Sequence, residues 1–188
     1  MKIAVILGST REGRLGERVA KWAVNEAAKD SDNEVELLDL QNYPLPFFNE
    51  AVSPQFNPDR HPEPVVAQWL SKVAEADAYI VVSPEYNRSF PAVLKNALDH
   101  LAFEASGKPV AVVTYSAAPT GGEATQVQLR PVLGAVRMMA VPTYVCVAVA
   151  GNTITEEGET ETTVAAQPYG PHTSIATAVA ELKQFARG

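Results

Sequence analysis

Five short apolar runs, separated by segments with helical periodicity, constrain the fold of this chain more than any other feature. The runs are Ile3–Leu7, Glu34–Leu38, Ala78–Val82, Val110–Thr114 and Pro142–Ala148. Most of them are apolar at nearly every position, which is typical of parallel strands covered on both faces. We therefore expect five buried strands.

The stretches between and after these strands carry apolar residues at the spacing of a helix. They are Glu17–Lys29, Pro64–Glu75, Pro91–Phe103, Gly122–Met138 and Ser174–Ala186. In the fourth, Pro131 either begins a second helical segment or kinks the first. The alternation predicts an α/β fold, a doubly wound five-stranded parallel sheet with helices on both faces.

The composition excludes several classes of protein. The 188 residues are 46% hydrophobic with a net charge of −7, which fits a globular domain and argues against general affinity for nucleic acid. No stretch has the ~20 apolar residues of a membrane span, and no apolar signal-peptide core is present at the N-terminus. The single cysteine, Cys146, is interpreted as a buried small residue, so we expect no internal disulfide and a reducing cytoplasm. His61, His100 and His172 lack the spacing of a metal site.

Two long segments fall outside the strand–helix pattern. Gln41–Pro62 is rich in proline, asparagine and aromatic residues, and its length favours a functional or mobile loop. We expect its aromatic side chains to be exposed and to cover a site or a partner; they are Tyr43, Phe47, Phe48 and Phe56. Gly151–Pro171 is polar and acidic and is interpreted as a solvated connection.

The segment Gly8–Gly16 follows the first strand and precedes the first helix. This order leaves backbone N–H groups without partners at the positive end of a helix dipole. Ser9 and Thr10 add hydroxyls, and Arg11 and Arg14 add cations, a combination suited to a terminal phosphate. The segment lacks both the Gly-Lys-Ser/Thr of a triphosphate-binding loop and the glycine spacing of a dinucleotide fold. The alternative is a turn that binds nothing, with both arginines in solvent.

Two further loops are expected beside the first. In an open α/β sheet, ligands bind at the carboxyl ends of the strands, so Ser83–Pro91 and Tyr115–Gly122 would line one pocket with Gly8–Gly16. Both loops are rich in hydroxyls, aromatic faces and backbone donors. Tyr115 is expected to end a strand with its hydroxyl available to the pocket.

Three segments together resemble the NADPH-dependent FMN reductase family: Gly8–Arg18, Pro84–Asp99 and Gly121–Gly122. The Pro-Glu-Tyr-Asn sequence at 84–87 is the most specific part. The resemblance covers about residues 1–148 and implies a flavodoxin-like fold. Residues 1–188 would form a single FMN-binding domain, in which the tail 151–188 is less diagnostic.

The resemblance implies non-covalently bound FMN and assigns roles to residues of this sequence. The phosphate would be held by Ser9, Arg11, Gly16 and Glu17. The edge of the isoalloxazine ring would meet Pro84, Glu85, Tyr86 and Asn87 through backbone N–H groups, with Ser89 beside them. The pyrimidine side would meet Ser116 and Gly121.

The electron donor and the chemistry follow from the same resemblance. Arg88 is a candidate to pair with the NADPH 2′-phosphate or to cover the flavin, and equally an ordinary solvated arginine. No side chain is expected to be catalytic, because the flavin carries the chemistry, and no metal is expected.

The chain departs from the family pattern at two places. Many relatives carry a hydroxyl residue where this chain has Gly16, so one phosphate donor is missing or is replaced by backbone. Ala117–Pro119 stands where relatives often have glycine, which leaves the role of Ser116 open.

The expected function is that of an FMN-dependent NAD(P)H oxidoreductase. Hydride would pass from NADPH or NADH to bound FMN and then, in a ping-pong scheme, to an acceptor. The resemblance implies free flavins, quinones, azo dyes, nitroaromatics or metal oxyanions as acceptors. A flavodoxin-like electron carrier that docks through the acidic residues 156–161 is the alternative.

A third hypothesis rests on Asp39. An acid after the second strand would bond a ribose in an NAD-binding dehydrogenase domain. Because the glycine spacing of that fold is absent, a surface loop acid is the preferred interpretation.

The remaining large side chains receive structural roles. Trp22 and Trp69 are predicted to anchor helices in the core, and His100 is predicted to lie on a helix face that packs or meets a second subunit. Helix 91–103 and the aromatic loop 43–56 offer apolar surface. We expect a homodimer or homotetramer whose other partner is a small-molecule acceptor.

Overall fold

The computed structural model describes residues 1–57, 59–161 and 170–186. The strands are β1 (Lys2–Leu7), β2 (Glu34–Asp39), β3 (Ala78–Pro84), β4 (Pro109–Tyr115) and β5 (Met139–Val147). The α-helices are α1 (Gly16–Ala28), α2 (Pro64–Glu75), α3 (Ala92–Asp99), α4 (Glu123–Ala135), α5 (Ala150–Thr153) and α6 (Pro171–Ala186). Short 3₁₀ turns at Leu40–Asn42 and Pro54–Phe56 lie between β2 and α2.

The five strands form one parallel sheet in the order β2-β1-β3-β4-β5. This flavodoxin-like order confirms the predicted doubly wound α/β fold. The direction of winding reverses between β1 and β3. The loops that follow β1, β3 and β4 therefore meet at the carboxyl edge of the sheet.

Alternating side chains of β1 show how the sheet is covered on both faces. Ile3, Val5 and Leu7 pack with α1 and α6, whereas Ala4 and Ile6 pack on the side of α2, α3 and α4. The strands β3 and β4 are buried along their whole length. The three central strands thus have no solvent-facing side, and polar residues concentrate where the strands end.

Helix boundaries follow the periodicity closely, with one exception. α3 ends at Asp99 rather than at Phe103, and the chain turns through residues 100–107 to enter β4, with Gly107 at a φ of 75°. α4 continues through Pro131 as a single helix. Among the described residues, no helix combines the length and apolar character needed to cross a membrane.

The aromatic loop Gln41–Pro62 is only partly exposed. The prediction of exposed rings is correct for Phe47 and Phe56 and wrong for Tyr43 and Phe48. Tyr43 is buried edge-on against Trp69 of α2, and Phe48 packs edge-on against His100, which directly follows α3. Burying these rings removes apolar surface from water, which fixes the loop on the two helices.

Two polar residues, Asn96 of α3 and His100 directly after it, hold the same loop. Asn96 accepts a hydrogen bond from the Phe48 N–H and donates one to the Pro46 carbonyl, both at 2.9 Å. His100 is buried, and its Nε2 donates to the Pro46 carbonyl at 3.0 Å. His100 is therefore packed, as predicted, although it follows α3 instead of lying on its face.

The acidic segment Gly151–Pro171 begins as a packed structure. Arg18 pairs with the Glu156 carboxylate at 2.8 Å, and Lys21 donates to the Glu156 carbonyl at 3.2 Å. The interpretation as a solvated connection is thus wrong for the part that follows α5, because this part lies against α1. Residues 162–169 of the segment lie outside the described residues.

Trp22 and Trp69 are both fully buried, as predicted, but they differ at the indole nitrogen. Trp69 donates to the Ala97 carbonyl at 3.0 Å, whereas no described residue accepts from Trp22. We expect Trp69→Phe to lower the free energy of unfolding by about 1 kcal/mol more than Trp22→Phe, because it also removes a hydrogen bond. Urea unfolding of both variants measures the difference, and equal losses would contradict it.

Candidate functional site

The loop between β1 and α1 presents a set of backbone donors at the carboxyl edge of the sheet. Seven backbone N–H groups between positions 9 and 17 have no acceptor among the described residues. They belong to Ser9, Thr10, Glu12, Gly13, Leu15, Gly16 and Glu17. The N-cap residue of α1, Leu15, gives no side-chain cap. The positive end of the helix dipole therefore remains available to an anion.

Close packing beneath this loop explains the glycine at its start. The Gly8 N–H donates to the Val82 carbonyl at 2.9 Å, which joins the loop to β3. A Cβ at Gly8 would lie 2.9 Å from Leu94 Cδ2 and 3.1 Å from the Val82 oxygen. A side chain at this position would push the loop away from β3 and α3.

The two arginines of the loop have different environments. Arg11 is exposed, and no described residue forms an ion pair with it. Arg14 is buried, and its guanidinium binds the Asp39 carboxylate at 2.9 and 2.5 Å and Glu17 at 3.2 Å. The prediction that Arg14 is a second cation facing the bound anion is therefore wrong, because its guanidinium is paired with two carboxylates. The alternative, in which Arg14 is exposed to solvent, is wrong as well, because the side chain is buried.

Charge pairing outweighs burial at Arg14. Burial acts to lower the pKa of its guanidinium, but hydrogen bonding and charge from Asp39, with a smaller contribution from Glu17, raise that pKa overall. Asp39 also accepts from the Gln41 N–H at 2.9 Å. Asp39 is thus a partly buried ion-pair partner, which corrects its interpretation as a surface loop acid and leaves no free carboxylate for a ribose.

Three hydroxyl groups gather behind the loop. Ser9 is fully buried, and its Oγ lies 2.8 Å from the Tyr86 hydroxyl oxygen. Burial raises the pKa of the Tyr115 phenol, and the neighbouring Tyr86 acts in the same direction, while Arg14 and Arg11 oppose it. Tyr115 therefore stays protonated and can act as a donor near neutral pH.

Tyr115 also explains the glycine at position 16. A Cβ on Gly16 would lie 2.4 Å from the Tyr115 hydroxyl oxygen and 2.8 Å from Leu7 Cδ1. A serine or threonine has no room there, because the phenol of β4 fills the space. Where many relatives have a hydroxyl residue, this chain thus has Gly16 and, beside it, the hydroxyl of Tyr115 from β4.

The loop after β3 forms a tight turn at Asn87 and Arg88. Tyr86 and Ser89 exchange backbone hydrogen bonds of 2.7 and 3.0 Å, and φ is 50° at Asn87 and 70° at Arg88. These values indicate a type I′ turn, which asparagine tolerates and arginine rarely adopts. Of the four residues predicted to meet the edge of the flavin ring, Pro84 has no N–H, and the N–H groups of Glu85 and Tyr86 donate to backbone carbonyls. The N–H of Asn87 is the remaining one, and it has no acceptor among the described residues.

Side chains of this loop hold it to α4. The Glu85 carboxylate accepts from the Ala124 N–H at 3.1 Å, in the first turn of the helix. The Thr125 hydroxyl donates to the Ser89 carbonyl at 3.0 Å. The two bonds fix the height of the turn relative to the sheet.

In the loop after β4, the two residues assigned to the flavin, Ser116 and Gly121, both have backbone N–H groups that are already hydrogen-bonded. The Ser116 N–H donates to the Val147 carbonyl, and that of Gly121 donates to Ala118. A Cβ on Gly121 would lie 2.9 Å from the backbone of β5, so this glycine serves packing. Among the described residues, the N–H groups of Ala117, Ala118, Thr120 and Gly122 have no acceptor, and Ala117 is the one of these four residues that lines the cleft.

A cleft of about 190 Å³ lies between the three loops. Its lining residues are Arg11, Arg14, Leu15, Pro84, Glu85, Tyr86, Tyr115, Ser116 and Ala117. Tyr115 ends β4, as predicted, and is among the lining residues. The predicted site residues that do not line the cleft are Ser9, Gly16, Glu17, Asn87, Arg88, Ser89 and Gly121. Leu15 and Ala117 were missed, because an apolar side chain carries no chemical signal when only its backbone matters.

Comparison with known proteins agrees with this geometry. Residues 1–152 match the family of NADPH-dependent FMN reductases. An NAD(P)H-dependent FMN reductase of Schizosaccharomyces pombe is 38% identical over 142 residues, which are 76% of this chain and 70% of the relative. A 2-hydroxy-1,4-benzoquinone reductase of a Burkholderia species is 34% identical over 137 residues, 70% of this chain and 69% of the relative.

A solved structure supports the fold. The flavoenzyme NAD(P)H:(acceptor) oxidoreductase FerB from Paracoccus denitrificans superimposes with a TM-score of 0.76 at 23% identity, covering 98% of each chain.

The matched region contains all three loops of the cleft. It confirms the resemblance and, with it, an FMN-dependent NAD(P)H oxidoreductase rather than an electron carrier. The chain belongs to the NADPH-dependent FMN reductase family.

Proposed function

We propose that the cleft at the ends of β1, β3 and β4 holds FMN, with its phosphate in the loop Gly8–Glu17, and that the protein reduces quinones or similar small acceptors with NAD(P)H. The observation that carries the proposal is the row of free N–H groups at the start of α1. A phosphate dianion accepts many hydrogen bonds at once, and the dipole of α1 favours its charge. The guanidinium of Arg11 adds a cation at the same rim.

The donor set fits a flavin phosphate. Ser9, Gly16 and Glu17 would contribute their backbone N–H groups, since the Ser9 hydroxyl is engaged with Tyr86 and the Glu17 carboxylate with Arg14. Arg11 would contribute its side chain. The phosphate is thus held mainly by backbone.

The ring of the flavin would lie between the other two loops. Asn87 supplies a free N–H on one side, and Ala117 and Ala118 supply free N–H groups on the other, in place of those of Ser116 and Gly121. Pro84, Glu85, Tyr86 and Ser89 would shape the edge of the ring site rather than donate to it from their backbones.

FMN, when bound, supplies the ability to accept a hydride from NAD(P)H and to release electrons to a second substrate. The residues of this chain bind and orient the two reactants. No acid–base side chain is required for this role, since positioning brings the main gain in rate.

The electron donor and acceptor are proposed from separate observations. The Arg88 side chain is 74% exposed, and its guanidinium lies 3.8 Å from Glu85, a residue of the cleft, which supports Arg88 as a partner for the 2′-phosphate of NADPH. A quinone acceptor is supported by the benzoquinone reductase among the relatives. Free flavins and azo compounds follow from the family resemblance.

We also propose that residues 1–188 form one FMN-binding domain that acts in the cytoplasm. The described tail helix α6 supports this, because Ile175, Ala178 and Leu182 are buried in the same cluster as β1. Cys146 is a free cysteine, which fits a reducing compartment.

An anaerobic absorbance spectrum tests the function directly. The purified protein, supplied with FMN if it is colourless, is expected to show visible flavin bands that bleach when NADPH is added. Bound flavin that does not bleach would contradict the reductase activity. Failure to bind FMN would contradict the site.

Arg11→Ala tests the phosphate site. We expect a loss of about 1.5–3 kcal/mol in FMN binding, because a charge-assisted hydrogen bond is removed. Titration of flavin fluorescence measures the dissociation constant, and Lys29→Ala, an equal change of charge at the other end of α1, is the control. Equal affinity of Arg11→Ala and the control would place the phosphate elsewhere.

Exposed aromatic rings support a homodimer. Phe47 is 82%, Phe56 77% and Phe103 52% exposed, and the last two line one groove. Light scattering is expected to give about 40 kDa or more, at least twice the 20.2 kDa of the chain. Phe56→Ser with Phe103→Ser should shift the mass toward the monomer, whereas Val127→Ser, at a valine of α4 that is 63% exposed, should not. A monomeric wild-type protein would contradict the proposal.

A further inference from the structure

Arg14 has no donor left for a ligand. Its Nε donates to Glu17, Nη1 to the Ser9 carbonyl and to Asp39, and Nη2 to Glu17 and Asp39. A guanidinium has five N–H donors, and the five bonds use all of them. The side chain is 4% exposed. Arg14 lines the cleft but has no donor free for a phosphate.

The bond to the Ser9 carbonyl has a consequence for the loop. A trans peptide is planar, and its C=O and N–H point in opposite directions. Because the Ser9 oxygen faces Arg14, the N–H of Thr10 in the same peptide faces away from it. Thr10 is exposed, and its N–H is among those without a described acceptor. Arg14 thus fixes the direction of one of the free donors.

The ion pair also removes a charge that would oppose an anion. The Asp39 side chain is 18% exposed at the end of β2, directly behind the loop. Without Arg14 its partly buried carboxylate would keep the Gln41 N–H as a partner but would have no cation to compensate its charge behind the proposed phosphate loop. A like charge at that distance weakens anion binding, and low exposure strengthens the effect.

We propose that Arg14 is a positioning residue of the FMN phosphate site: it orients the Ser9–Thr10 peptide and neutralises Asp39 without touching the phosphate. The inference rests on the proposed function, since it needs FMN in this loop. It assigns Arg11 and Arg14 different tasks, direct contact for the first and organisation of the backbone for the second.

The test compares FMN with riboflavin, which lacks the phosphate. Both flavins are titrated into apo-protein and followed by fluorescence, for wild type, Arg14→Met and Arg14→Lys. Arg14→Met is expected to raise the FMN dissociation constant about tenfold to a hundredfold and to leave that of riboflavin nearly unchanged. An equal rise for both flavins, or no rise for FMN, would overturn the proposal.

Arg14→Lys separates positioning from direct contact. A lysine is a competent phosphate ligand, but its three donors do not replace a planar fork that holds five bonds. We therefore expect Arg14→Lys to lose most of the affinity that Arg14→Met loses. An Arg14→Lys variant that binds FMN as tightly as wild type would overturn the positioning role. If Arg14→Met does not fold, Arg14→Lys alone tests the proposal.

A double variant isolates the contribution of the peptide. Arg14→Met with Asp39→Asn removes the unpaired carboxylate, so part of the lost FMN affinity should return. Complete recovery would overturn the role of the Ser9–Thr10 peptide. If wild-type protein binds no FMN, the proposed function fails; if wild type binds FMN and Arg14→Lys equals it, only the present inference fails.

Discussion

Burial of β1, β3 and β4 on both faces is the constraint on which the rest of this structure depends. A strand covered by helices on each side carries apolar side chains at every position, because a polar group there would be desolvated without a partner. Ser83 and Thr114, two buried polar residues on these strands, lie near the carboxyl ends and bond to backbone carbonyls. The chemistry of the protein is thereby concentrated in the loops at one edge.

Those loops are held to one another by specific bonds. Ser9 meets Tyr86, and Gly16 leaves room for Tyr115, so the loop after β1 depends on the ends of β3 and β4. Glu85 caps α4. The cleft between them is therefore shaped by three segments that are distant in sequence, and a change in one alters the position of the others.

The site also shows how an acidic chain accommodates an anion. The chain has a net charge of −7, and the carboxylates of Glu17 and Asp39 both lie against Arg14 of the phosphate loop. Arg14 compensates both of them, which leaves the backbone donors and Arg11 facing the cleft. Affinity then arises from local geometry, since dipoles and N–H groups act over short distances while the net charge is screened by salt.

The sequence by itself determined the fold and the location of the site. Continuous apolar runs and helical periodicity depend only on local spacing, and they placed all five strands and the sheet-covering helices within a few residues. The loop Gly8–Gly16 and the Pro-Glu-Tyr-Asn segment were recognisable because their backbone conformations require particular residue types, which the sequence shows directly. Only the tertiary structure decided which donors are free. Arg14 is paired with Asp39, 25 residues away, and the hydroxyl of Ser9 is hydrogen-bonded to Tyr86. Tyr115 occupies the space beside Gly16. The physical reason is that a side chain binds whatever the fold brings within about 3 Å, and the sheet brings together the ends of strands that are far apart in the chain.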